Sequence, residues 1–207
     1  MTTILNRELL TLFLAFLVVA SVVSWVVANP PVNEDFASVS VLGPSMNAAV
    51  YFPNNVSTIA MNEQVQWYLQ VFNHMGDTQL FSLYILLGNL TTTSPNATSN
   101  TPSGGTMVGQ YYRAVQDDKT WTIPLLWSIT NETALAGTTT IHGLTVNGNH
   151  VTTDISAIPS ITNSLRFRIV IELWSYDVEL HNFVFSIIAN GVLDSVFDQI
   201  WFNANGM

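Results

Sequence analysis

The chain has 207 residues, of which 48% are hydrophobic and only 9% are charged, and its formal net charge is -9. Five Lys and Arg residues against 14 Asp and Glu residues exclude the clustered cations that phosphate binding requires, so no nucleic-acid partner is expected. Cysteine is absent, which excludes disulfides, thiolate metal sites and cysteine nucleophiles. The surface must therefore depend for its solubility on Thr, Ser, Asn and Gln.

An uncharged apolar segment occupies residues 9–28. About twenty residues, each rising 1.5 Å along a helix, match the roughly 30 Å hydrocarbon core of a bilayer. The sequence therefore predicts a tail at residues 1–8, a transmembrane helix at residues 9–28 and a linker at residues 29–35.

Charges flanking the apolar segment predict its orientation. Arg7 and the terminal amine precede it, whereas Glu34 and Asp35 follow it. The positive-inside rule then places the N-terminus in the cytoplasm and the rest of the chain outside. The alternative interpretation is a cleaved signal peptide, since Val26 and Ala28 suit the small-residue positions before a cut.

Small residues recur every four positions along this helix, at Ala20, Ser24 and Ala28. This spacing gives one helix face a strip along which a second helix can approach closely. The alternative is a chance distribution in a span that contains several Ala and Ser residues. We treat the strip as a candidate contact surface.

Beyond the linker the hydrophobic pattern alternates with a period of two, which is typical of strands with one buried face. Three segments show it, at residues 64–72, 120–130 and 165–173. Many short strands separated by polar turns predict a mainly β fold, an immunoglobulin-like antiparallel β-sandwich over residues 36–207.

Three segments depart from this pattern. Residues 192–201 carry apolar side chains at helical spacing and predict a short C-terminal amphipathic helix. Residues 88–105 are rich in Ser, Thr, Asn, Pro and Gly and predict an exposed loop. Residues 131–163 contain short alternating pieces that suggest an inserted hairpin.

Several short motifs together extend across most of the domain and carry a family resemblance. They are Leu42-Gly43-Pro44, Tyr51-Phe52-Pro53, Asn62-Glu63-Gln64-Val65, Val71-Phe72-Asn73-His74, Thr120-Trp121-Thr122-Ile123-Pro124, Leu165-Arg166-Phe167 and Leu173-Trp174. In these motifs the chain resembles archaeal membrane-anchored proteins of unknown function with an immunoglobulin-like extracytoplasmic domain. The resemblance implies a β-sandwich in an archaeal envelope and implies no catalytic residues. Family members often carry several membrane helices, whereas this chain has one, and residues 131–163 look like an addition.

Acceptor triplets for N-glycosylation begin at Asn55, Asn89, Asn96 and Asn131. Such triplets also occur by chance in a sequence rich in Asn and Thr. Because glycans would explain the solubility of a surface with so few charges, we expect at least one of them to be modified.

The sharpest metal-like pattern is Asp177, Glu179 and His181, since alternation along a strand would place all three on one face. A solvated face or a turn between strands produces the same spacing. His150 with Asp154, and the separate His74 and His142, are weaker candidates that are usual in turns and on surfaces. No catalytic motif and no cofactor-binding motif is recognised, and no cofactor is expected.

These observations favour a non-catalytic structural or accessory subunit of an archaeal membrane or envelope assembly, whose partners are the membrane and other membrane-protein subunits. The alternative is a small subunit of a membrane-bound oxidoreductase in which residues 177–181 bind metal or shape a redox site. A filament or surface-layer component is a third hypothesis. Leu86, Leu126 and Trp174 fall on the second face of their strands, where either the domain itself or a partner covers them.

Overall fold

The computed structural model describes residues 2–29, 34–157 and 166–205. Its elements are one helix, α1 (Thr2–Ala28), a single 3-10 turn at Pro53–Asn55 and thirteen strands. The strands are β1 (Phe36–Leu42), β2 (Thr58–Ile59), β3 (Val65–His74), β4 (Gln79–Asn89), β5 (Thr106–Val115), β6 (Lys119–Leu135), β7 (Thr138–Val146), β8 (Asn149–Ala157), β9 (Phe167–Asp177), β10 (Asn182–Val184), β11 (Ile187–Ala189), β12 (Val192–Asp194) and β13 (Val196–Ala204). Residues 1–34 and 35–207 form two separate compact units.

Helix α1 begins at Thr2, before the predicted start at Leu9, and ends at Ala28 as predicted. Its 22 residues from Arg7–Ala28 have the length and composition of a helix that crosses a membrane. Polar side chains inside an apolar helix need partners when water is absent. The Ser21 hydroxyl donates to the carbonyl of Leu17 at 2.7 Å, and the Thr11 hydroxyl donates to that of Arg7 at 2.9 Å.

The second unit is a sandwich of two main sheets. Sheet I has the strand order β1-β3-β6-β7-β8, and sheet II has the order β2-β13-β9-β4-β5 with β10 beside β9. In immunoglobulin-like domains strands A, B and E share one sheet, and strands G, F, C and C′ share the other. Here β1, β3 and β6 occupy the places of A, B and E, and β13, β9, β4 and β5 those of G, F, C and C′. The topology is therefore immunoglobulin-like, as the sequence predicted.

Residues 131–163 supply most of one edge of sheet I. Strand β6 continues to Leu135, and β7 and β8 form a hairpin that adds two strands beside it. In an immunoglobulin-like domain that place belongs to strand D, which precedes strand E in the chain. The hairpin here follows its neighbour instead. Residues 158–163 lie outside the described residues.

Alternation in β3 and β6 correctly identified the core. Val65, Trp67, Leu69 and Val71 of β3 are fully buried, and the alternate residues of β6 from Trp121 to Ile129 are buried as well. Strand β9 differs, because every residue from Phe167 to Leu173 is buried, on both of its faces. The first residue of the predicted strand, Leu165, lies outside the described residues.

Four aromatic rings connect the two sheets. Trp67 packs edge-on against Trp127 at a centroid distance of 5.3 Å. Trp127 in turn contacts Phe202 of sheet II at 5.1 Å, and Phe202 contacts Phe167 at 5.8 Å. Such pairs stabilise a core beyond the area that they bury. The Trp67 indole N–H donates to the Tyr51 carbonyl at 2.6 Å, which keeps that polar group satisfied inside the core.

The predicted C-terminal helix at residues 192–201 is wrong. Residues 192–194 form β12, and β13 pairs antiparallel with β9 from Val196 to Phe202. The spacing imitated a helix because both faces of β13 bear apolar side chains. Val196, Ile200 and Phe202 contact the core, whereas Phe197 and Trp201 lie on the other face, against Phe185 and Arg168.

We predict that Trp127→Ala lowers the free energy of unfolding by about 3–5 kcal/mol, because it removes the ring that bridges the two sheets and leaves a cavity. The control is Leu126→Ala, whose side chain is 40% exposed on the other face of the same strand. Chemical denaturation of the full chain in detergent measures both. Equal losses in the two variants would contradict the bridging role of Trp127.

Candidate functional site

The predicted metal residues Asp177, Glu179 and His181 lie in a turn and not on one strand face. Strand β9 ends at Asp177, and residues 178–181 form the turn to β10. The Asp177 carboxylate accepts hydrogen bonds from the backbone N–H groups of Glu179 and Leu180, both at 2.8 Å. His181 has a left-handed φ of 52°. The carboxylate of Asp177 therefore stabilises the turn, and the structure does not bring the three ligand atoms together.

A different group does converge. Among the described residues, one set of three potential metal ligands has all its ligand atoms within 4.8 Å of one another: His74, Asp117 and Asp118. His74 is the last residue of β3, and the two aspartates form the turn between β5 and β6. Strand pairing brings these segments together, because Asn73 lies opposite Lys119 in the β3–β6 ladder.

The two aspartates of this group contact different partners. Nδ1 of His74 lies 2.5 Å from Oδ1 of Asp118. Oδ1 of Asp117 accepts the backbone N–H of Gly76 at 3.0 Å. The hydrogen bond with Asp118 raises the pKa of His74, and the negative charges of Asp118, Asp117 and Asp35 add to this, while partial burial opposes it.

Asn73 holds the two turns of this group in place. Its side chain is fully buried, and its amide donates to the carbonyls of Asp77 and Val115, both at 2.8 Å. Its carbonyl oxygen accepts the N–H of Met75 at 3.1 Å. One buried carboxamide thus links the β3–β4 turn to the end of β5.

A second histidine pair lies on the outer face of sheet I. Nδ1 of His142 lies 2.6 Å from Oδ1 of Asp154, and Nε2 lies 2.9 Å from the Thr133 hydroxyl. The sequence had grouped Asp154 with His150, but a register shift between Ile141 and Gly143 brings it to His142 instead. His150 lies opposite Thr145, near Gly143.

Two charged side chains are buried on the outer face of sheet II. Arg168 and Glu172 lie on β9 and are about 1% and 0% exposed. Four positions along one strand separate them by about 13 Å, too far for an ion pair. The terminal nitrogens of Arg168 and both oxygens of Glu172 bond to neutral groups instead, as a buried charge requires, whereas the buried Nε of Arg168 has no hydrogen-bond partner among the described residues.

The partners of both charges come mainly from the loop that follows β4. Arg168 donates to the Ser94 hydroxyl at 2.7 Å, to the Thr92 carbonyl at 2.6 Å and to the Gln199 side chain at 2.9 Å. Glu172 accepts the N–H of Ser103 at 2.5 Å and the indole N–H of Trp174 at 3.1 Å.

The predicted loop at residues 88–105 therefore covers sheet II with one side and is exposed on the other. The loop accounts for Leu86, which lies on the second face of its strand and is only 7% exposed. Leu126, on the second face of a strand in sheet I, is not covered in this way and is 40% exposed. Burial lowers the pKa of Arg168. It also raises the pKa of Glu172, although the two hydrogen bonds oppose that rise.

We predict that the stability of the domain increases as the pH falls from neutral towards the unfolded pKa of a glutamate. Because the pKa of Glu172 is raised in the folded state, its contribution is fully present below the unfolded value and is lost as the pH rises through the folded value. Each pKa unit of this rise corresponds to about 1.4 kcal/mol.

Thermal unfolding of the full chain between pH 4 and pH 7.5 checks this, with Glu172→Gln as the variant. The substitution removes the titration at constant volume, so the dependence of Tm on pH should become shallower. An unchanged slope would show that Glu172 does not titrate differently in the two states.

The four glycosylation asparagines differ in accessibility. Asn55, Asn96 and Asn131 are exposed. Asn89 is half-buried, and its amide nitrogen donates to the Ser156 carbonyl at 2.7 Å. Its Oδ1 accepts from the hydroxyls of Thr91 and Thr92, both at 2.9 Å. Since the glycan attaches to the amide nitrogen, Asn89 is the least suitable of the four.

We predict a glycan on at least one of Asn55, Asn96 and Asn131, and none on Asn89. The intact mass of protein from a host that glycosylates extracytoplasmic asparagines should exceed the polypeptide mass. Replacing the modified asparagine with Gln should remove one glycan mass, while Asn89→Gln should not. A bare polypeptide mass would refute the prediction.

On the helix, Ala20, Ser24 and Ala28 share one face through their four-residue spacing. Ser24 and Ala28 are exposed, and Ala20 is intermediate. The face is therefore open within the helical unit, as a contact strip requires.

No family model and no curated protein matches the chain. Similar solved structures include the CARDB domain of a Pyrococcus furiosus protein, at 14% identity and a TM-score of 0.31, covering 62% of this chain and 97% of that one. The sporulation control protein Spo0M of Bacillus subtilis has 8% identity and a TM-score of 0.33, with 83% of this chain and 50% of that one covered. A Bacteroides uniformis beta-glucuronidase 2 mutant has 10% identity and a TM-score of 0.30, with 80% and 13% covered. The immunoglobulin-like fold follows from the strand order of the chain itself.

Proposed function

We propose that the chain is a non-catalytic structural or accessory subunit of an archaeal membrane or cell-envelope assembly. Its helix anchors it with the N-terminus in the cytoplasm and the sandwich outside, and it contacts other subunits through both the helix and the domain. The archaeal assignment rests on the family resemblance, and the orientation rests on Arg7 before the helix and the acidic residues after it.

The observation that carries this proposal is an exposed apolar cluster on the domain. Val178, Ile188 and Leu193 form it, Leu180 and Val192 are close to two of them in the chain, and each of the five is more than half exposed. Three of them, Val178, Ile188 and Leu193, border a cavity of about 390 Å³. Large aliphatic side chains gathered at one place on a surface are typical of interaction sites.

Acidic side chains surround this cluster. Asp177 and Glu179 line the same cavity, and Asp194 neighbours Leu193. An apolar centre with a negative rim disfavours an anionic lipid surface. It suits a protein partner whose own surface has an apolar centre and basic groups around it.

The buried charges of the domain support a structural role as well. Arg168 and Glu172 hold the loop after β4 against sheet II through their hydrogen bonds. The terminal nitrogens of Arg168 and both oxygens of Glu172 are thus used in holding the domain together.

We predict that replacing Ala20, Ser24 and Ala28 together with Leu weakens association of the chain within the membrane by at least tenfold, because the larger side chains prevent close helix approach. The matched control replaces Val18, Val22 and Val26 with Leu, a strip of the same spacing about 200° around the helix. Native purification from membranes, with quantitation of the copurifying subunits, measures both.

If the variant with Leu at positions 20, 24 and 28 copurifies with the same subunits in the same amounts, the helix only anchors the chain and is not a contact surface. A monodisperse single polypeptide after native purification of the wild type, with neither partner nor self-assembly, would contradict the proposed function as a whole.

A further inference from the structure

We propose that His74, Asp117 and Asp118 form a binding site for a divalent transition-metal ion of the Zn²⁺ class. The donor set is one imidazole and two carboxylates, supplied by the end of β3 and by the turn between β5 and β6. Such a site shares no residue with the apolar cluster and does not depend on the proposed function.

Distances within the group suit a metal. All three ligand atoms lie within 4.8 Å of one another. A tetrahedral ion with bonds of about 2.0–2.2 Å separates its ligands by about 3.4 Å. Binding would move the Asp118 oxygen about 1 Å away from Nδ1 of His74 and would bring the most distant pair of ligand atoms closer by up to about 1.4 Å.

Packing fixes the direction of the imidazole. The ring of His74 stacks on that of Phe72, with a centroid distance of 6.2 Å and an interplanar angle of 8°. Its centroid lies 5.2 Å from that of the Phe36 ring. The buried Asn73 next to it anchors both turns. Because the supporting groups are already ordered, few degrees of freedom are lost on binding.

The charge around the group favours a cation. Asp35 adds a third carboxylate that acts on His74. In the described part of the chain, the ion pair of Asp118 is with His74, and Asp117 has an amide as its partner. A divalent ion would neutralise more of this negative charge than a singly charged imidazole can.

The donor atoms also select the ion. Ca²⁺ and Mg²⁺ take oxygen ligands and gain little from an imidazole, whereas Zn²⁺ readily accepts a His and carboxylate set. Three protein ligands leave a fourth tetrahedral position for water. A bound ion would join the β3–β4 and β5–β6 turns.

The chain contains its own control. His142 and Asp154 form a pair of nearly the same length, 2.6 Å, but the third group there is the Thr133 hydroxyl and not a second carboxylate. A histidine–aspartate pair alone is therefore present at both places. The second carboxylate distinguishes the proposed site.

The experiment uses the full chain in detergent, without a polyhistidine tag and stripped by chelator, titrated with ZnCl₂ by isothermal calorimetry. We expect one saturable site per chain. His74→Ala and Asp117→Asn should each weaken it at least tenfold, and His142→Ala should leave it unchanged. Asp117→Asn keeps the acceptor for the Gly76 N–H, so it tests the ligand without removing the turn.

Three results would overturn the proposal. They are the absence of saturable Zn²⁺ binding, binding that both variants of the site retain, and equal loss in His142→Ala. Titration with CaCl₂ supplies the remaining comparison. If Ca²⁺ binds as tightly as Zn²⁺ and His74→Ala does not weaken it, the group is only an acidic surface that attracts cations and not a transition-metal site.

Discussion

Contact between the aromatic rings of the two sheets is the interaction on which this domain depends. A β-sandwich is stable only when its sheets remain packed face to face, and many immunoglobulin domains secure this with a disulfide between them. This chain has no cysteine. Trp67 and Trp127 of sheet I instead meet Phe202 and Phe167 of sheet II in one continuous series, so ring packing takes the place of a covalent link between the sheets.

The outer face of β9 in sheet II is buried as well, which suits a chain with so few charged residues. Most antiparallel sandwiches leave the outer face of each sheet to water. Here β9 is buried on both faces, and the loop after β4 covers its outer one. Arg168 and Glu172 then specify how the loop sits, because each must find its hydrogen bonds there. Acidic conditions favour this arrangement, since they reduce the cost of burying Glu172.

The sequence predicted those parts of the fold that depend on local pattern. Period-two alternation identified β3 and β6, and the apolar run identified α1. The same reasoning failed at β13, where apolar residues on two partly buried faces fall at helical spacing. It also placed Asp177, Glu179 and His181 on a strand, although the Asp177 carboxylate folds that segment into a turn. The His74 group was missed because its members are more than 40 residues apart, and only the β3–β6 register joins them. Asp117-Asp118 next to a hairpin turn was the available signal.

Pairing between β2 and β13 has a consequence for the synthesis of the chain. Thr58 and Ile59 lie beside Asn203 and Ala204 in a parallel ladder, so the early strand has no partner until the late one has been made. Contacts of such sequence separation slow folding. A nascent domain would thus leave β2 without its partner for most of its translation, and the edge of β9 that pairs with β13 would stay open until β13 is made. A holdase chaperone would protect these exposed edges from aggregation during that interval.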